Sequence, residues 1–469
     1  MATVLALPRL IALQRKGTDD KYLRLVHKDK KLQGFLQNSG DEIVSPYTKF
    51  ETERSKSDEN LVHIRCCYNN KYLVRSSEED NWIVVAAHEP EEDKSKWSCT
   101  LFQPCVTDAD GSSFSFLHVQ HGGYLDIDAD LNCLCIRQVD IASAQSFKVL
   151  NMESSVILPQ HVTFKGYNDL YLSARVIQSH PYHQFASDDI YDSTIRYEVF
   201  RLSNGNVRIK SNHFGKFWRR SPNWIWADSD DTTANNSDTV FWPVKIKDNV
   251  IALKNLGNNR FCNALTTEGK TNCLNALEAE VNIWSHLQLY EVVSKREIYN
   301  VTFYTENAKI YDVSGGTTVT KEVDNKTQNE EQGTVSFSYK ETKSSTWNAS
   351  HAWSVDVSTT IKTGIPILAE GAISISSSYS GEYSWGETME QSTEISTNLT
   401  VKLPPMTRTK VTLIVTKGAI DVPFSYTQRD TLFSGKIVTS QFEDGLFTGV
   451  NTYFKYDIVE QSLSSTTTE

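Results

Sequence analysis

Two stretches decide the fold: VHIRCCYNNKYLVRSSEEDNWIVVAA at residues 62–87 and VRIKSNHFGKFWRRSPNWIWAD at residues 207–228. Val-x-Ile-basic, Lys-aromatic, Arg-Ser and Trp-Ile recur in the same order, and the starts, Val62 and Val207, lie 145 residues apart. A second pair, LNCLCI at 131–136 and TNCLNA at 271–276, keeps a spacing of 140. The first 295 residues therefore read as a duplicated unit. A finer period runs inside each copy. Tyr22, Tyr72 and Tyr124 open strand-like stretches in the first, and Tyr171, Phe217 and Phe261 do so in the second. A closing residue keeps step at Phe50, Phe102, Phe147, Phe200, Phe241 and Leu289. Three aromatic-rich subrepeats with Gly, Asn and Asp turns predict a threefold β-trefoil. Three blades cannot close a propeller, and a helical solenoid would need a 3.6-residue period that is absent. No Q-x-W repeat occurs, which points away from ricin-like sites.

The bulk numbers set outer limits. The chain has 469 residues, a formal net charge of −11, 39% apolar and 22% charged content. These values fit an ordered protein of several domains. An acidic balance disfavours nucleic acid, which needs clustered Lys and Arg. The opening MATVLALPRLIALQRKG has no basic stretch before its apolar part, and Pro8 and Arg9 interrupt that part. It reads as no signal peptide, so the expected location is cytoplasmic or nucleocytoplasmic, with membrane association only on pore formation. Eight cysteines end at Cys273 without paired CxxC motifs, so reduced thiols are expected and no structural zinc. The acidic runs DIDAD (126–130) and DSDD (228–231) lack an EF-hand pattern and read as solvated turns, leaving no metal or cofactor expected. No phosphate loop, G-x-S-x-G elbow or H-E-x-x-H is present, so the expectation is a protein that is not an enzyme.

After Arg296 the composition changes. Ser and Thr make up 25 of the 67 residues from Thr334 to Thr400. Val355, Val357 and Ile361 alternate with Ser354, Asp356, Ser358, Thr360 and Lys362; Ile373, Ile375 and Tyr379 alternate with Ser374, Ser376, Ser378 and Ser380. Period two means strands. Between them lies an apolar island, Gly364, Ile365, Pro366, Ile367, Leu368 and Ala369, followed by Glu370 and Gly371. One weakly apolar face and one polar face suit a strand pair in a transmembrane barrel, which several chains must close together. The island then reads as a hairpin turn that meets the membrane first. The competing reading is a static amphipathic hairpin packed on a neighbour.

LVHIRCCYNNKYLVRSSEEDNWIVVAAHEP, WSCTLFQP, FLHVQHGGY, VTFKGYNDLYL and KSNHFGKFWR together resemble the amaranthin-type plant agglutinins, over roughly residues 1–295. The resemblance implies two tandem β-trefoils, 1–152 and 153–295, in a head-to-tail homodimer or higher homo-oligomer. It also implies a sugar site shared between the first trefoil of one subunit and the second of its partner. Its ligands would be galactose/GalNAc-type glycans on glycoproteins or glycolipids, with the T-disaccharide (Gal linked to GalNAc) as the family ligand. Carried onto this chain, the site takes Glu79, Asp80, Asn81 and Trp82 from the first trefoil. The second supplies Asn212, His213, Phe214, Gly215 and Lys216. Asn81 stands where the family has Tyr, a departure that bears on specificity. Trp82 would stack on a sugar ring while Asn81 or Asp80 bonds its hydroxyls. An alternative makes Trp82 and Trp224 paired core aromatics at equivalent positions.

VTFYTENAKIYDV and TVKLPPMTRTKVTLIV, with the Ser/Thr-rich strands between them, resemble the aerolysin-type pore-forming module, over 296–469. The resulting fold class is all-β, two tandem β-trefoils followed by an elongated aerolysin-like β-rich module. The resemblance implies a lectin that delivers an oligomerising β-hairpin to membranes in plant defence. The alternative is a cytosolic stress-related lectin whose module oligomerises without forming pores.

Overall fold

The computed structural model describes residues 7–17, 21–314, 318–351, 353, 357–369, 372–376, 379–383 and 385–463. The described residues are strand, turn and short 3-10 segments, with no α-helix among them. They fall into two compact units: 1–298 with 349–360 and 427–444, and 299–348 with 361–426 and 445–469.

The first unit holds two closed barrels. In the first trefoil the strands Leu10–Arg15, Phe50–Arg54, Val62–Cys66, Phe102–Val106, Ser113–His118 and Phe147–Asn151 pair in sequence and close through Leu10–Arg15. Three hairpins cap one end: Tyr22–Leu25 with Leu36–Gly40, Tyr72–Arg75 with Ile83–Ala87, and Gly123–Ile127 with Leu134–Arg137. The second trefoil repeats this with ring strands His161–Lys165, Tyr197–Arg201, Val207–Ser211, Phe241–Lys247, Val250–Asn255 and Leu287–Glu291. Its cap hairpins are Tyr171–Ile177 with His180–Ser187, Phe217–Ser221 with Trp224–Ser229, and Arg260–Thr267 with Lys270–Glu278.

Each of the six aromatic markers read from the sequence lies at or next to the start of a cap strand. Five of the six closing markers point inward: Phe50, Phe102, Phe147, Phe241 and Leu289 are at most 1% exposed. Phe200 does not, at 37% exposed. In Tyr197–Arg201 the inward side takes Tyr197 and Val199, so period two turns Phe200 outward, against Phe217 at 5.1 Å. Tyr197 is the true sixth marker.

The quoted repeat encodes one turn twice. Asn70 N–H donates to the Cys66 carbonyl at 2.9 Å, and Gly215 N–H to the Ser211 carbonyl at 2.8 Å. Cys66 N–H reaches Lys71 O and Ser211 N–H reaches Lys216 O, both at 2.9 Å. Asn70 and Gly215 have φ of 57° and 69°, the left-handed region that Asn and Gly tolerate best.

In the second unit, strands Glu331–Ala349 and Thr388–Leu403 form a long ladder from Glu331↔Leu403 to Thr346↔Thr388. One end is packed: Val335, Phe337, Val401 and Leu403 join Val411, Leu413 and Val415 in a core cluster. Towards Thr388 the Thr388–Leu403 strand is exposed at residue after residue, as its Ser, Thr and Glu content dictates. Strand Thr407–Leu432 also pairs with Lys309–Ser314 and with Thr318–Asn325.

The island differs from its reading as a turn across 364–371. Pro366–Ala369 is a strand paired with Ala372–Ile375, from Pro366↔Ile375 to Ala369↔Ala372. Pro366 opens the strand, a place where its missing N–H is tolerated. Glu370, Gly371, Ser354, Val355, Asp356 and Ser378 lie outside the described residues.

Candidate functional site

The segment 76–82 closes a cap hairpin of the first trefoil. Buried Arg75 organises it: its guanidinium donates to the carbonyls of Glu78 and Asp80, each at 2.8 Å, and to Gln120 Oε1 at 3.2 Å. The Asp80 carboxylate accepts from Ser76 Oγ, from Ser77 Oγ at 2.9 Å and from Trp82 N–H at 3.1 Å. Burial works to raise its pKa, but these hydrogen bonds and Arg75 hold it below the usual carboxylate value. Asp80 is therefore committed to the turn and has little left for a sugar hydroxyl. Glu79 is exposed beside it.

Asn81 is exposed, and its Oδ1 lies 3.0 Å from His121 Nε2. Gln138 Nε2 donates to His121 Nδ1 at 3.2 Å and to the His121 carbonyl at 3.0 Å. That pattern fixes the tautomer: Nε2–H donates to Asn81 and Nδ1 accepts from Gln138. Burial, then Arg75, lowers the His121 pKa and favours this neutral ring. Asn81, His121 and Gln138 thus form a hydrogen-bonded polar row beside Trp82. The sequence reading missed His121 and Gln138, which belong to the third subrepeat. The available signal was the repeated turn: Gly122 N–H donates to the His118 carbonyl just as Gly215 N–H does to Ser211, which puts His121 at the place of Phe214.

Trp82 and Trp224 do occupy equivalent positions. Trp82 bridges to Cys135 and meets the Phe35 ring edge-on at 5.7 Å. Trp224 pairs with Asn275 and meets the Tyr182 ring edge-on at 5.7 Å. Their exposure differs. The longer third hairpin of the second trefoil brings Lys270 over the Trp224 ring at 5.1 Å, and Trp224 Nε1 donates to Glu268 Oε2 at 3.2 Å, leaving Trp224 6% exposed. In the first trefoil the corresponding hairpin is shorter, and Trp82 stays half-buried. Trp224 is a core residue of the cap; Trp82 keeps an accessible part.

Asn212 to Lys216 form the turn before a cap strand of the second trefoil. Asn212, His213 and Gly215 are exposed, and Phe214 packs on the barrel core. His213 stands edge-on to Phe214 at 4.9 Å, and Lys216 Nζ is paired with Asp230. Within its trefoil this turn corresponds to 67–71, not to 79–82. The two predicted groups are therefore different parts of the repeat.

The membrane-hairpin candidates are stowed. Leu368 is 1% exposed; its N–H donates to Asn451 Oδ1 at 2.8 Å and its carbonyl accepts from Asn451 Nδ2 at 2.6 Å. One carboxamide thus imitates a ladder partner. Pro366 is buried, Ile365 and Ile367 are half-buried, and Ile365 N–H donates to Ser376 Oγ at 3.0 Å. A Cβ on Gly364 would lie 2.2 Å from the Ser376 carbonyl, so only Gly fits there. Ile361 is 1% exposed and Ile375 45%.

Two capped six-stranded rings define a tandem β-trefoil protein joined to a β-rich module. The chain belongs to the agglutinin-domain family, whose model matches residues 5–149 and 156–293. Residues 291–469 match the model of the Clostridium epsilon toxin ETX/Bacillus mosquitocidal toxin MTX2 family. The two matches are thus to a lectin family and a toxin family, both non-catalytic. No curated protein matches the chain. Among solved structures, a mosquitocidal holotoxin aligns at 11% identity over 63% of this chain and 35% of its own, with TM-score 0.29. The chain thus spans about a third of that protein. A lamprey immune protein aligns at 14% identity over 64% of this chain and 91% of its own, TM-score 0.29. A non-toxic crystal protein from Bacillus thuringiensis aligns at 14% identity over 36% and 85%, TM-score 0.22.

Proposed function

We propose that this chain is a lectin that binds galactose-type glycans through the open cap of its first trefoil and delivers an oligomerising β-hairpin to the membrane that bears them. The observation that carries the sugar reading is the contrast between Trp82 and Trp224, equivalent residues of which only Trp82 keeps an accessible part. The apolar C–H face of a galactose-type ring would stack on Trp82 while Asn81, oriented by His121, bonds the hydroxyls. Asn212 to Lys216 would complete the site from a partner copy. Eight free cysteines suit synthesis in a reducing compartment such as the cytosol, and plant defence fits a protein that acts on reaching a foreign membrane.

In the pore state, residues from about Ser344 to Thr400 become two strands of a shared barrel, with Val355, Val357, Ile361, Ile373 and Ile375 towards lipid and Lys362, Ser374 and Ser376 towards the lumen. The Asn451 clamp on Leu368 favours the second reading, a lectin that oligomerises in the cytosol with its hairpin permanently stowed. A glycan array with the intact protein tests the sugar half: retention on galactose/GalNAc-terminated glycans is expected, and none would refute it. Dye release from glycolipid-bearing liposomes separates the pore from the static module.

A further inference from the structure

The Ser/Thr-rich segment is not carried by one unit. Its flanks belong to the second, but residues 349–360 group with the first. Strand Glu331–Ala349 stops where that stretch begins. Just beyond that end, two side chains are fixed on the lectin half. Trp353 is 9% exposed, belongs to the core cluster of the second trefoil, and donates through Nε1 to the Ile157 carbonyl at 2.6 Å. His351 donates through its backbone N–H to Asp444 Oδ2 at 2.8 Å. Its ring links two charged groups: Arg201 Nη1 donates to Nε2, and Nδ1–H donates to Asp444 Oδ2. Only the neutral ring with hydrogen on Nδ1 satisfies both contacts. The ring also packs on Phe442 at 4.7 Å.

In a continuous membrane strand, residues 349–360 would need ladder partners on both sides and alternate faces towards lipid and lumen. Neither is compatible with Trp353 in the trefoil core. We infer that His351 and Trp353 are a latch, by which the lectin half holds the first arm of the inserting segment, and that their release is a required step before the hairpin can form barrel strands. The inference rests on the pore-forming reading. It also assigns Trp353 a second use, since a Trp suits the interfacial girdle of a barrel.

The test uses the full chain with Trp353→Ala and His351→Ala, the second sparing the trefoil core. The readouts are hydrogen exchange at 349–360 and the lag before dye leaves glycolipid-bearing liposomes. Losing a buried indole and its hydrogen bond should speed exchange there roughly tenfold or more for Trp353→Ala, with a smaller change in the same direction for His351→Ala. Glycan binding should stay as in wild type in both variants, and so should exchange in Val207–Ser211 for His351→Ala. The lag should shorten by a similar factor. Wild-type exchange and lag in both variants would overturn the latch. If wild-type protein releases no dye, the pore reading fails, and exchange alone decides whether the segment is held as described.

Discussion

At the scale of single residues, Trp82 and Trp224 show how one repeat position divides into two jobs. Trp82→Ala should weaken binding to a galactose-type glycan by about 1–3 kcal/mol in calorimetry, with little change in melting. Trp224→Ala should leave binding intact but cost the second trefoil about 3–5 kcal/mol in urea unfolding, because its ring is buried among Tyr182, Lys270 and Cys273. The opposite pattern would exchange their roles.

Two buried histidines at this scale make the lectin half acid-sensitive. His118 Nδ1 accepts the His121 N–H at 3.2 Å and Nε2–H donates to the Cys99 carbonyl at 3.1 Å, so neither nitrogen has room for a further proton. Burial lowers its pKa from 6.5 to about 4, and that of His183 to about 3. Both rings stay neutral in the fold but take up a proton in the unfolded chain below pH 6.5. Stability is therefore highest above pH 6.5 and falls as the pH drops towards 4, by about 1.4 kcal/mol per pH unit for each ring. Urea midpoints between pH 7 and 4.5 should show this slope, and His118→Gln should reduce it. A pH-independent midpoint would contradict the assignment.

At the scale of elements, the cap turns explain what was legible. The six subrepeat starts were readable because each needs an aromatic at the head of a cap strand. Asn81 and Trp82 were readable because they lie inside the longest match. His121 and Gln138 were not, since pairing of neighbouring cap hairpins brings them to Asn81 from 40 and 57 residues further along. Phe200 misled because a period of subrepeats does not say which of two aromatics in one strand, Tyr197 or Phe200, faces inward. The apolar island misled for another reason: its place between Ser/Thr-rich flanks suggests a turn, whereas Pro366–Ala369 is a strand and a residue 83 positions away, Asn451, supplies backbone partners to Leu368. Asn451→Ala should leave the Leu368 N–H and carbonyl buried without partners, at about 1–3 kcal/mol each. Faster exchange of the Leu368 amide and a lower melting temperature are expected; an unchanged amide would mean the clamp carries no weight.

At the scale of the whole molecule, duplication was visible in sequence but the division of the C-terminal half was not. Residues 349–360 and 427–444 group with the lectin half, and buried Arg296, bonded to Glu291 and Asp430, shows that 430 is part of that unit's interior. Such membership depends on contacts far apart in the chain, which composition does not report. In the proposed function, sugar recognition brings a pore-forming hairpin to a membrane. The most direct measurement is dye release from liposomes with and without a Gal-GalNAc-terminated glycolipid, using wild-type protein. Release is expected only from glycolipid-bearing vesicles, suppressed by free galactose and by Trp82→Ala; equal leakage from bare vesicles, or none from either, would overturn that function.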